Sequence, residues 1–130
     1  MKTIKQTAEF KASPHEIFEL LMDSKKHSKL TGSKAEIDRK VGGKFTAYDG
    51  GLNGKNLEIV KDKKIVQAWR CEMEEWNKGY YSKATFLLKK SKNGTKLEFT
   101  QTGVPDKAYE DISEGWKEYY WKKMKKMLED

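Results

Sequence analysis

Polar and apolar residues alternate at the start of the chain: Ile4, Gln6, Ala8 and Phe10 fall on one side, Thr3, Lys5, Thr7, Glu9 and Lys11 on the other. A period of two predicts a half-buried strand. Ser13-Pro14-His15-Glu16 follows, with Ser at the cap, Pro at the first helical position and Glu three residues after the cap. That capping box predicts a short helix burying Ile17, Phe18, Leu20 and Leu21. A second short helix is expected over 24–30, closed by Thr31-Gly32. From 33 to 102 turn signals recur at Gly42-Gly43, Gly50-Gly51, Asn53-Gly54, Asp62-Lys63, 77–79 and Asn93-Gly94. Between them, β-rich runs at 35–40, 44–48, 55–61, 64–72, 80–90 and 95–102 predict six consecutive strands. Asn93-Gly94 is the strongest turn signal, because a type I′ hairpin needs positive φ at both centres.

Alternation puts Ile65, Gln67, Trp69 and Cys71 on one face of their strand and Ser82, Ala84, Phe86 and Leu88 on one face of the next; Leu97 and Phe99 continue the pattern. Gly103-Val104-Pro105-Asp106 then stops the sheet. Residues 106–128 contain no Pro and only Gly115 as a breaker, which predicts one long helix. At about 100° per residue, Tyr109, Ile112, Trp116, Tyr119, Tyr120 and Met127 gather on one face, and Trp121 falls off it toward the lysines. A sheet with one apolar face must be covered, and only this helix is large enough. The predicted architecture is an α+β helix-grip fold: a curved antiparallel sheet of about seven strands on a long C-terminal helix, with two short helices after the first strand. A single domain over 1–130 is expected.

Charge alters this picture little. Hydrophobic and charged residues each make up 36% of the chain, and 27 basic against 20 acidic residues give a formal net charge of +7. Acids are interleaved almost everywhere, so a solvated lysine-rich surface is favoured, and nucleic acid ranks last among possible partners. Only Lys117, Lys122, Lys123, Lys125 and Lys126 are locally dense. The lone Cys71 excludes an internal disulfide and a multi-thiolate metal site. With no N-terminal apolar leader and no apolar run of about 18 residues, a cytoplasmic location is expected by default.

The motifs Gly42-Gly43-Lys44-Phe45, Tyr48-Asp49-Gly50, Gly54, 65–70, Gly103-Val104-Pro105 and 115–120 occur in an order and spacing that closely resemble a known family. The resemblance, from about Ser13 to Leu128, is to the C-terminal domain of the activator of the heat-shock protein 90 ATPase, within the START and birch-allergen-like (SRPBCC) superfamily. It implies a helix-grip fold and a co-chaperone role in the stress response, through binding of the heat-shock protein 90 chaperone. The full-length eukaryotic activator has a further N-terminal domain that anchors the chaperone's middle segment, and no counterpart is expected here. The superfamily also implies an alternative, a carrier or sensor of a small apolar molecule held between sheet and helix. A cyclase or hydrolase is the third.

No catalytic residue, metal site or cofactor is expected. His15 and His27 sit in the N-terminal helical segment outside any metal-ligand pattern and are expected at the surface. Cys71 is expected to act as a small buried hydrophobe. Phe45, Trp69, Phe86, Phe99, Trp116 and Tyr120 are expected to point between sheet and helix, either as plain core or as the walls of a ligand cavity, with Gln67 and Tyr120 as polar contacts. Arg70 faces away from Trp69 by strict alternation and is expected at the surface. Trp121, with Lys117, Lys122 and Lys125 around it, is the candidate partner surface, an aromatic anchor with a charged rim; the alternative, which is favoured, is a snorkelled aromatic covering the sheet edge.

Overall fold

The computed structural model describes residues 1–129. Strand β1 (Lys2–Phe10) is followed by helices α1 (Pro14–Met22) and α2 (Ser24–Thr31). Ser13 accepts from the Glu16 backbone amide and the Glu16 carboxylate accepts from the Ser13 amide, so the capping box forms as the sequence predicts. Strands β2 (Glu36–Ile37), β3 (Lys44–Ala47), β4 (Leu52–Val60), β5 (Lys64–Cys71), β6 (Ser82–Ser91) and β7 (Gly94–Val104) form an antiparallel meander. β1 then pairs with β7, giving the order β1-β7-β6-β5-β4-β3-β2. The C-terminal helix α3 enters through a short 3₁₀ turn, Asp106–Ala108, and consists of α-helical Tyr109–Gly115, π-helical Trp116–Trp121 and α-helical Lys122–Glu129.

Two turn assignments change. Asn53-Gly54 lies inside β4, where Gly54 pairs with both Phe45 and Trp69. A Cβ there would run into the Ala68 carbonyl oxygen and the Phe45 ring, so this glycine serves close approach rather than a turn. The β6–β7 hairpin turns on Lys92-Asn93, one residue earlier than expected, with Ser91 paired to Gly94. Gly94 is needed because a Cβ would strike the Phe10 carbonyl oxygen at the end of β1.

The core lies between the sheet and α3, sealed at one end by α1 and α2. Ile4, Ile17, Ile65, Leu97, Phe99 and Met124 are almost wholly buried. No helix among the described residues is long and apolar enough to cross a membrane.

Candidate functional site

The π-helical segment decides what α3 presents. A π turn holds about one residue more than the 3.6 of an α turn, so residues four and five apart share a face. Trp116, Tyr120 and Trp121 are therefore all buried, at 4–6% exposure, while Tyr119 swings out to 55%. Both sequence expectations for this stretch are corrected: Tyr119 is not on the core face, and Trp121 is not on the lysine face. The Trp121 indole stacks on Trp116 at 5.5 Å and donates to Gln6 Oε1 at 2.6 Å.

Trp116 stands at the centre of the aromatic set. Its ring centroid lies 4.4 Å from Phe99, 4.8 Å from Tyr120, 5.4 Å from Trp69 and 5.7 Å from Phe86. Its indole N–H donates to Gln101 Oε1 at 2.8 Å; Gln101 Nε2 donates to Ser82 Oγ, and Ser82 donates to the Trp69 carbonyl, both at 2.9 Å. Every polar group in this buried relay thereby has a partner. Phe45, Trp69, Phe86, Trp116, Tyr120 and Gln67 enclose a void of only about 20 Å³, room for roughly one water. Gln67 turns its amide to Asn56 Oδ1 at 3.2 Å.

Open space lies instead at the mouth of the grip. A cleft of about 520 Å³ separates the N-terminal half of α3 from the ends of β4 and β5. Of the six residues expected to wall a cavity, Trp69, Trp116 and Tyr120 reach it, and Phe45, Phe86 and Phe99 do not. Tyr48, Leu52, Cys71, Met73, Ile112 and Tyr119 supply further walls. Tyr48 escaped the sequence reading because its place depends on a turn in which Tyr48 and Asp49 both take positive φ, 50° and 54°. The motif Tyr48-Asp49-Gly50 was visible, but not the direction of the ring. Burial, with the nearby Tyr119, raises the Tyr48 pKa, and its buried hydroxyl has no partner among the described residues. Cys71 is half-buried at the cleft wall, and burial pushes its thiol pKa up, away from the reactive thiolate.

Two polar residues differ from expectation. His27 is buried, at 7% exposure, and its Nε2 meets the Tyr120 hydroxyl at 2.9 Å. α2 packs against α3, which hides a ring that the local sequence places among charges. Burial lowers the His27 pKa; the Leu20 and Leu21 carbonyls oppose part of the shift without completing a hydrogen bond to Nδ1. Arg70 does face away from Trp69, but the loop after β5 folds over it and leaves 9% exposed. Its guanidinium donates twice to Glu72, at 2.9 Å each, and to the carbonyls of Trp76 and Tyr80 at 3.3 and 3.2 Å. His15 is exposed as expected and pairs with Asp62 at 2.9 Å.

Lys117, Lys122 and Lys125 are exposed. Lys117 lies 3.7 Å from Glu114 and Lys122 3.4 Å from Glu118. Among the described residues no group of three or more His, Cys, Asp or Glu is placed to hold a metal ion.

Comparison with known proteins covers nearly the whole chain. A family model described as Activator of Hsp90 ATPase homolog 1-like protein matches residues 11–129. An activator of 90 kDa heat shock protein ATPase homolog from Dictyostelium discoideum is 35% identical over 117 residues, 89% of this chain and 30% of that protein. The human activator of 90 kDa heat shock protein ATPase homolog 1 is 28% identical over 123 residues, 95% of this chain and 35% of that protein. The chain thus spans about a third of the length of the curated relatives it matches. Among solved structures, an HSP90 activator from Plasmodium falciparum superposes with a TM-score of 0.91 at 30% identity, over 98% of this chain and 96% of that one. A Mesorhizobium loti protein shares the fold at a TM-score of 0.84 and 21% identity, over 98% of this chain and 97% of that one. Since the family model takes in both short helices, the meander and all of α3, the chain belongs to the Activator of Hsp90 ATPase homolog 1-like family.

Proposed function

We propose that the chain is a non-catalytic binding domain acting on a chaperone of the heat-shock protein 90 class, in the cytoplasm where such a chaperone works. The family match over residues 11–129 carries this reading. A partner of this kind changes a chaperone's conformational equilibrium only by binding one conformation better than the others. The cleft supports binding rather than chemistry. Its walls are mainly apolar and aromatic, its thiol is held protonated by burial, and the Glu72 carboxylate is already engaged by Arg70 and Asn53.

The test is an amide-resonance titration of the labelled chain with a heat-shock protein 90 chaperone, with and without nucleotide. Nucleotide-dependent shifts on α3 and the adjoining ends of β4 and β5 are expected. No shift at a large excess of chaperone refutes the reading. A small apolar molecule in the cleft is a second reading, favoured by a volume within the range of ligand pockets. Native mass spectrometry of gently purified chain would reveal the added mass.

A further inference from the structure

The cleft at the mouth of the grip has four features that the fold itself does not require. First, it is apolar and open on a molecule whose interior is otherwise closed, with Leu52, Met73, Ile112 and Trp116 among its walls. Second, no Lys, Arg or His lines it, although the chain carries a net charge of +7. Its two charged wall residues are Glu72 and Asp111. Glu72 is taken by Arg70; Asp111 is exposed and makes no ion pair among the described residues.

Third, the Tyr48 hydroxyl is buried at the cleft without a partner among the described residues, on a backbone where two successive non-glycine residues hold positive φ. Such backbone strain and an unpaired polar atom persist where the surroundings or a function demand them. Fourth, Gly115 lines the cleft from within α3 at φ −58°, an ordinary helical conformation. A Cβ there would meet only Tyr119 Cδ2, at 3.8 Å, which is normal contact. Glycine inside a helix is unfavourable relative to alanine, and no neighbour in the chain forces it. What Gly115 provides is room on the cleft side.

We propose that the cleft seats an apolar anchor side chain of the protein partner, with a neighbouring lysine or arginine of the same segment meeting Asp111. Charge complementarity selects this occupant: Asp111 is a wall carboxylate with no ion pair among the described residues, and although Lys123 Nζ sits 5.4 Å over the ring of the wall residue Tyr119, no cation lines the cleft itself, which favours a segment pairing an apolar side chain with a positive charge. A buried anchor with a polar rim is the usual anatomy of an energetic centre in an interface. The inference rests on the chaperone-binding reading above and assigns that reading a face.

The experiment is calorimetric titration of the full chain with a heat-shock protein 90 chaperone held with a non-hydrolysed ATP analogue. Wild type is compared with Gly115→Leu, Gly115→Ala, Asp111→Lys and Lys125→Glu. Gly115→Leu is expected to weaken binding more than about thirtyfold, the loss of an anchor, while its melting temperature stays at or above that of wild type. Gly115→Ala, which must fold, should show a smaller loss in the same direction. Asp111→Lys should weaken binding by roughly two- to fivefold, less so at high salt. If wild type binds and the Gly115 and Asp111 variants bind equally well, while Lys125→Glu does not, the cleft is not the seat and the partner reading survives. If wild type does not bind, the partner reading falls and this inference with it. A small molecule carried by purified wild type and lost in Gly115→Leu overturns the inference in favour of a ligand site.

Discussion

His27 is buried against Tyr120 with only one of its ring nitrogens partnered among the described residues, and burial holds its pKa below the ordinary 6.5. Above that pH the unfolded imidazole is neutral as well, so the pair contributes its full stability. As pH falls below 6.5, the unfolded chain takes up a proton that the folded chain refuses. Stability is then lost, on the order of 1 kcal/mol per pH unit, until the folded pKa is reached. Melting temperature measured from pH 8 to pH 5 should therefore fall on the acid side, and His27→Gln should flatten that limb. Parallel profiles for the two proteins would show that His27 is not the group responsible. Nothing local in 24–31 announces this: Lys25, Lys26 and Lys29 surround the histidine, and only the docking of α2 on α3 buries it.

At the scale of the element, the π-helical segment is the decisive irregularity. It brings Trp121 into the core beside Trp116 and Phe99, at 5.5 and 5.4 Å. Trp121→Ala should therefore behave as a large-to-small core substitution, costing about 3–5 kcal/mol and lowering the melting temperature by about 10 °C or more. A surface anchor would lose binding with no change in melting. Thermal unfolding followed by circular dichroism separates the two. The lysines of α3 have a physical reason of their own: Glu110, Asp111 and Glu114 cluster in the first half and Lys122, Lys123, Lys125 and Lys126 in the second. Acids near a helix start and bases near its end offset the helix dipole. Their density at the C-terminal end therefore has an explanation within the helix, whatever binds there.

For the whole molecule, the net charge of +7 and the exposed lysines at one end of α3 bear on encounter more than on grip. If the chain acts on an acidic surface of the proposed chaperone partner, association should slow as salt rises through physiological strength, where the Debye length is about 8 Å. Reversing Lys122 or Lys125 to Glu should make association roughly two- to fivefold slower at low salt, with little change in dissociation. Stopped-flow association rates across a salt series measure both effects. Rates independent of salt would remove electrostatics from the encounter.

Local pattern alone determined the greater part of the fold. Alternation in 4–10, the capping box at Ser13, the β-rich runs between turn signals and the closing helix all follow from periods and residue types that act over a few neighbours. The chain's order of elements then leaves the last helix as the only large cover for the sheet, so the helix-grip was legible from the residues alone. The candidate site was legible only in part, because its pieces come from segments distant in sequence. Trp69, Trp116 and Tyr120 could be named as inward-facing, but which of them meets open space depends on how the ends of β4 and β5 diverge from α3. The rotation of Trp121 inward and Tyr119 outward depends on one extra residue in a helical turn, which a uniform 3.6-residue period cannot express. The covering of Arg70 by the loop after β5 and the burial of His27 between helices likewise arise only when separated segments pack. Period and capping act through neighbours along the chain and can be read from it; burial, the cleft and the hydrogen bonds across it are set by contacts between elements, and only the tertiary structure decides them.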